Sequence, residues 1–278
     1  MFVMKKRLIS TVCLWLIVLG VILFLGPTAA VFLLAVLSAL TQNELYKLQK
    51  RMGYKPLRRL GLTLGFLLPL IVWFSDNPHA GSDFFVFSLI LISLSILFQD
   101  IRHGMESLLI PTLFGFVYIP FMLQYYVQIL KDWDTLGNTT GGLFLIVWLI
   151  AVAKFTDVGG LLVGNAIGRH KLAPHISPKK TWEGVVGGTA LATAVGLALA
   201  VVFRPWMPPS FTLAKSVIIA IPISAASILS DLIESAIKRF SGQKDSGHVI
   251  PGIGGAFDLV DSLVLTAPLG YLLFKYFI

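Results

Sequence analysis

Long apolar runs separated by short polar stretches dominate the chain. They cover roughly residues 8–25, 28–44, 60–74, 84–98, 106–129, 142–165, 183–203, 216–236 and 259–275. A helix needs about 20 apolar residues to cross the hydrocarbon core of a bilayer. Segments 60–74 and 84–98 are shorter, so flanking residues or packing among neighbours must supply the difference. Backbone polar groups in lipid must be satisfied within their own segment, which makes each run a helix. The pattern therefore predicts an all-α fold, a polytopic integral membrane helical bundle of about nine transmembrane helices. It reads as a single membrane domain over 1–278, with N-terminal helices in 1–140 and the more polar helices and loops in 141–278.

Composition supports this class. Of 278 residues, 56% are hydrophobic and 13% charged, against about 25% charged in a typical soluble domain. A water-soluble enzyme, a disordered chain and a coiled coil are excluded on that ground. The lone Cys13 rules out an intrachain disulfide and a cysteine-built metal cluster.

Charge sets the orientation. With the N-terminus in the cytoplasm, the outer side keeps only Lys131, Arg204, Lys215 and Lys275, and Lys154 falls inside a span. All other basic residues fall in cytoplasmic loops, as the positive-inside rule requires. The net charge of +8 is thus explained by loops facing the cytoplasm, and no nucleic-acid partner is expected. Lys5, Lys6 and Arg7 precede the first apolar run, but the Gly26-Pro27 turn leads straight into a second run. That reads as an uncleaved hairpin and not a removed leader. The acids are more telling. Outer loops hold Asp76, Asp83, Asp132 and Asp134; the others, including Glu44, Asp157, Asp231, Asp258 and Asp261, lie in spans or at their cytoplasmic ends. Carboxylates at membrane depth are costly and usually face a cavity or a partner charge. An acid-lined chamber in the cytoplasmic half is the expectation.

Three stretches could carry chemistry. Ser177–Gly184, S-P-K-K-T-W-E-G, runs from a loop into a helix start. Its lysines, hydroxyls and free helix N–H groups suit an anionic phosphate; a capped cytoplasmic anchor is the plain alternative. Asp231, Glu234, Ser235 and Lys238 share one helical face, followed by Arg239, Lys244 and Asp245. In Gly247–Asp261, glycines permit tight turns, and Asp258 and Asp261 share a face at the start of the last apolar run. With Asp231 they form a plausible oxygen cage for Mg²⁺, which uses few carboxylates and leaves positions for substrate phosphates. Asp157 lies near Lys154, either as an internal ion pair or in a substrate role. Gly160, Gly164 and Gly168 form a small-residue stripe suited to tight helix packing.

These motifs together resemble the phosphatidate cytidylyltransferases. The matching elements are S-P-K-K-T-W-E-G (Ser177–Gly184), D-L-I-E-S-A-I-K-R (Asp231–Arg239), K-D-S-G-H (Lys244–His248) and P-G-I-G-G-A-F-D-L-V-D-S (Pro251–Ser262). Two positions depart from the family pattern: Ile253 stands where histidine is usual and Leu259 where arginine is usual. The resemblance implies transfer of a cytidylyl group from CTP to phosphatidate, giving CDP-diacylglycerol and pyrophosphate, at a site facing the cytoplasm of a bacterial inner membrane. It implies Asp231, Asp258, Asp261 and Asp245 as ligands of Mg²⁺, with room for a second metal ion. Lys238 and Lys244 join Asp231 and Asp258 in the catalytic set. Ser177, Lys179, Lys180, Thr181, Arg239, Asp157 and His248 are the substrate-binding set. Membrane lipids surround the chain, and a homodimer is compatible with it. Three alternatives stand beside this reading: a CTP-dependent transferase for another lipid phosphate, an inactive homologue, and an ion-coupled transporter.

Overall fold

A computed structural model of the chain describes Gly20 and residues 25–99, 104–247 and 254–278. Most of the first apolar run, with Cys13, lies outside the described residues, as do Asp100 and Arg102. The described chain is helical apart from one small hairpin. Its elements are α1 (Gly26–Arg51), α2 (Arg58–Phe74), α3 (Ala80–Ser95) ending in a 3₁₀ turn (Ile96–Phe98), α4 (Met105–Phe116), α5 (Met122–Thr135), α6 (Thr139–Ile167), β1 (Lys171–Ala173), β2 (Ser177–Thr181), α7 (Trp182–Val202), α8 (Leu213–Phe240), α9 (Ala256–Val260) and α10 (Thr266–Phe277). Among the described residues, six helices are long and apolar enough to cross a membrane. They are α1, α3 with its 3₁₀ turn, α4 continued into α5, α6, α7 and α8. Helix α2 has 17 residues.

The last apolar run differs from expectation. It is two short helices, α9 and α10, with turns between Asp261 and Leu265. Polar side chains there take hydrogen bonds that a continuous helix would keep in its backbone. Ser262 N–H donates to Asp261 Oδ1 at 2.6 Å, and Ser230 Oγ donates to the Asp261 carbonyl.

The chain forms two compact units. The first holds residues up to Val127 together with Ile237–Val260. In it, α1 packs on α2, and α2 on α3 and α4. Tyr46 of α1 is fully buried; its hydroxyl donates to the Thr112 carbonyl at 3.0 Å and accepts from Gln42 at 3.0 Å. Gly61 and Gly115 make room for that ring, since a Cβ at either would lie 2.1–2.2 Å from its atoms. Pro111 has no N–H to give the Ser107 carbonyl one turn back. The Lys55 N–H fills the vacancy at 2.8 Å, tying the α1–α2 loop to α4. Pro120 sits in the π turn Val117–Phe121 that joins α4 to α5, the usual accommodation of a broken hydrogen-bond ladder.

The second unit holds Gln128–Ala236 and Asp261–Ile278. Its spine is the pair α6 and α7, and the glycine stripe of α6 meets glycines of α7. A Cβ on Gly188 would lie 2.5 Å from the Thr156 carbonyl, and one on Gly184 2.8 Å from the Gly160 carbonyl. Such backbone approach is what small residues allow between membrane helices. Trp148 is fully buried and donates to the Gly196 carbonyl at 2.8 Å. A hydroxyl cluster ties α8 to the pair: Thr156 and Ser224 at 2.8 Å, and Ser227 donating to the Ala153 carbonyl at 3.0 Å.

Candidate active site

The S-P-K-K-T stretch forms β2 of an antiparallel hairpin, with Lys171 opposite Thr181 and Ala173 opposite Ser177. The hairpin delivers the chain into α7 with Thr181 as the N-cap; its Oγ1 accepts from the Gly184 N–H at 3.1 Å. Gly168 must be small here, because a Cβ would lie 2.3 Å from the Gly164 carbonyl and 2.7 Å from Thr181 Oγ1. Glu183 anchors the other end of the turn. It accepts from the backbone N–H groups of Arg169 and His170, and lies 2.6 Å from His170 Nδ1.

The hairpin closes one side of a cavity of about 320 Å³ within the second unit. Thr156, Asp157, Gly160 and Gly164 of α6 line it, with Ser177, Lys179, Lys180 and Thr181 of β2, Gly184 of α7 and Asp231 of α8. Six residues of the proposed site set, Asp157, Ser177, Lys179, Lys180, Thr181 and Asp231, are thus gathered around one space. Lys180 reaches Asp231 Oδ2 at 2.5 Å, each side chain about a fifth exposed. Lys179 is exposed. Ser235 donates to Asp231 Oδ1 at 3.3 Å, as the shared helical face requires. The intramembrane Lys154 donates to Asp261 Oδ1 at 3.0 Å.

The first unit holds a second polar cluster. Lys238 donates to Asp258 Oδ1 at 2.7 Å. Asp258 Oδ2 accepts from the Gly255 N–H and Ser246 Oγ, both at 2.8 Å. Gly254, at φ +127, is required by its backbone; a Cβ there would also lie 2.7 Å from Asp258 Oδ2.

Glu44 completes this cluster; the sequence marks it among the acids at span depth but gives it no partner. It sits on α1, is 1% exposed, and accepts three hydrogen bonds. They come from the N–H of Ala256 to Oε1 at 3.0 Å, the N–H of Phe257 to Oε2 at 3.0 Å, and Ser246 Oγ, whose single proton is shared between Glu44 Oε2 and Asp258 Oδ2, each at 2.8 Å. A buried carboxylate thus caps the start of α9, the helix that carries Asp258. The only signal in the sequence is an acid within an apolar run.

The other expected residues are less engaged. Lys244 and Asp245 are exposed on the loop after α8, and Arg239 donates to the Gln243 carbonyl at 3.3 Å. His248 and Ile253 lie outside the described residues. Asp231 and Asp261 belong to the second unit, Asp245 and Asp258 to the first. Among the described residues, no group of three or more acids, histidines or cysteines forms a metal-binding cluster. The donor chemistry nevertheless fits a hard cation. Asp231 and Asp261 offer carboxylate oxygens, and Ser262 Oγ is buried without a hydrogen-bond partner. Mg²⁺ bound by one or two carboxylates plus water and phosphate needs no larger set.

Comparison with known proteins agrees with these motifs. A phosphatidate cytidylyltransferase of Brucella suis biovar 1 (strain 1330) is 44% identical over 139 residues, 49% of this chain and 48% of that protein. The chain therefore spans about half the length of the Brucella relatives it matches. A protein of the same name from Bacillus subtilis (strain 168) is 29% identical over 278 residues, 99% of this chain and 98% of the relative. Another, from Synechocystis sp. (strain ATCC 27184 / PCC 6803 / Kazusa), is 29% identical over 249 residues, 82% of each. With its apolar helices, the chain is an integral membrane protein. The motifs of β2, α8 and α9 lie inside a continuous match to one family model, from residue 5 to residue 277, and the chain belongs to the Cytidylyltransferase family.

Proposed function

We propose that the protein is a phosphatidate cytidylyltransferase of the bacterial cytoplasmic membrane, with its site on the cytoplasmic side. The carrying observation is the cavity that brings Lys179, Lys180, Ser177 and Thr181 to face Asp157 and Asp231. Such a space offers cations and hydroxyls to phosphates and a carboxylate to a metal ion. The relatives' shared name supports CTP and phosphatidate as substrates. The family match weighs against an ion-coupled transporter.

In the proposed reaction a phosphate oxygen of phosphatidate attacks the α-phosphorus of CTP. A new P–O bond forms, the bond to the β-phosphate oxygen breaks, and pyrophosphate leaves. Two anions must approach, so the protein's cations offset their repulsion. Lys179 and Lys180 hold triphosphate oxygens, with Lys238, Arg239 and Lys244 as further phosphate-binding cations and His248 as a polar contact. Ser177 and Thr181 donate hydrogen bonds; the Thr181 hydroxyl keeps its proton for this while its oxygen caps α7. The nucleophile is already ionised, so no strong base is needed. Asp231 and Asp258 are the leading proposed ligands of Mg²⁺, with Asp261 and Asp245 next and room for a second ion. Bound metal would supply charge neutralisation and in-line alignment. The orientation follows from the basic loops: N-terminus in the cytoplasm, nine spans, one functional membrane domain, with a homodimer as the proposed assembly.

The test is pyrophosphate release by the purified protein in detergent–lipid micelles with CTP, Mg²⁺ and phosphatidate. Release should require all three and disappear in D231N and D258N. Unchanged metal-dependent CTP consumption in both variants would overturn the assignment of the acids. No release from folded wild-type protein would favour another lipid acceptor or an inactive homologue, the reading that Ile253 and Leu259 motivate.

A further inference from the structure

The first unit contains a separate cavity of about 490 Å³, and it shares no residue with the cavity that holds Lys179 and Lys180. Three helix ends meet around it. Lys50 comes from the C-terminal end of α1, Arg58 and Arg59 from the start of α2, and Ser95 and Gln99 from the end of α3 and its 3₁₀ turn. Among the described residues, none of the three basic side chains is paired with a carboxylate. Arg58 is oriented: its Nε donates to Asn43 Oδ1 at 2.6 Å, which leaves the terminal nitrogens of the fork for another acceptor. Two guanidinium groups, an ammonium, a hydroxyl and an amide around one space make a site for a phosphate group. Arginine is suited to it by its bidentate geometry.

The surroundings distinguish a lipid phosphate from a free one. Two of the three helix ends belong to helices apolar enough to span a membrane, so this end of the unit lies at headgroup level. Leu97 and Phe98, between Ser95 and Gln99, are 77% and 85% exposed. Acyl chains would cover such side chains, and a free anion would leave them bare. We propose that this cavity binds the headgroup of an anionic phospholipid, with the acyl chains lying along the outer face of α3. Scattered basic residues at a membrane surface attract anionic lipid diffusely. Here a cavity, an oriented arginine and two neutral polar groups make a discrete site.

Phosphatidylglycerol is the probe, because its phosphodiester cannot act as the attacking phosphate in the reaction proposed above. The full chain is placed in phosphatidylcholine nanodiscs with graded phosphatidylglycerol, and bound lipid is counted by native mass spectrometry. Wild type should retain one phosphatidylglycerol saturably. R58Q/R59Q should bind it at least tenfold more weakly. K47Q/K55Q removes the same charge from exposed lysines outside the cavity and should stay within twofold, as should K179Q/K180Q. R58K/R59K keeps the charge but loses the fork, and should fall between wild type and R58Q/R59Q. It also carries the test if R58Q/R59Q fails to fold. Equal losses in R58Q/R59Q and K47Q/K55Q would overturn the proposal in favour of diffuse attraction, and so would unchanged retention in R58Q/R59Q. Displacement by glycerol phosphate as effective as that by intact lipid would overturn the lipid assignment in favour of a free phosphate. None of these outcomes depends on pyrophosphate release.

Discussion

Two adjacent lysines in one strand have different surroundings, and this difference predicts different roles. Lys180 is largely withdrawn from water and lies 2.5 Å from Asp231, while Lys179 is exposed at the cavity rim. A charge in a partly desolvated site acts on developing negative charge far more strongly than one screened by water. K180Q is therefore expected to lower turnover about 100-fold, and K179Q to act mainly by raising the KM for CTP. Initial rates of pyrophosphate release over a CTP series check this; equal effects on turnover would contradict it. The sequence shows both lysines in a phosphate-suited loop but cannot rank them. Ranking needs the fold, which withdraws Lys180 from water and sets it against Asp231, far along the chain. For the same reason the local spacing of Lys154 and Asp157 does not reveal the hydrogen bond of Lys154 to Asp261.

Helix pairing is partly legible. The spacing of Gly160, Gly164 and Gly168 announces a packed face, but not which helix it meets. The partner face is read from Gly184, Gly187 and Gly188 of α7, where the first obstacle to a Cβ differs. At Gly188 it is the Thr156 backbone carbonyl at 2.5 Å; at Gly187 it is the Val163 side chain at 2.3 Å. A side chain can rotate away and a packed backbone cannot. G188A should therefore cost about 1–3 kcal/mol and G187A less, read as the order of melting temperatures in micelles. Glu44 poses the opposite problem, since no local pattern gives it a partner. Its role follows from donors some two hundred residues away, on Ser246, Ala256 and Phe257. E44Q keeps the shape but replaces one acceptor oxygen with a donor, which faces N–H groups that already need acceptors. Loss of one buried hydrogen bond with its desolvation cost is about 1–3 kcal/mol. Through Ser246 the change also loosens Asp258. E44Q should thus lower both melting temperature and turnover, while E44D, which keeps two acceptors, should recover part of each. A fall in stability with turnover per folded molecule unchanged would show that Glu44 only supports the fold.

At the scale of the whole molecule, hydropathy and charge predict nine crossings and termini on opposite sides of the membrane, while six helices among the described residues are long and apolar enough to cross. The architecture makes the last crossing the weak point of that count. Residues 259–275 are not one helix, and α10, with 12 residues, rises only about 18 Å at 1.5 Å per residue, short of a ~30 Å hydrocarbon core. Periodicity could not expose this break, because the run stays apolar around Asp261 and Ser262; hydrogen bonds from those residues and from Ser230 interrupt the helix. The charge pattern still predicts the side. Lys275 is the sole basic residue after Lys244, and a crossing between them keeps the cluster ending in Lys244 on the basic side. The chain from α9 to α10 would then cross as two short helices and a turn, a form tolerated at membrane depth only where protein covers the backbone. Burial of Phe257, Val260, Val264 and Ala267 meets that condition. A reporter active only outside the cytoplasm, fused after Ile278, should therefore be active, and the same reporter fused after Lys244 silent. Silence at both positions would mean that α10 returns to the side it left, leaving an even number of crossings after the N-terminus.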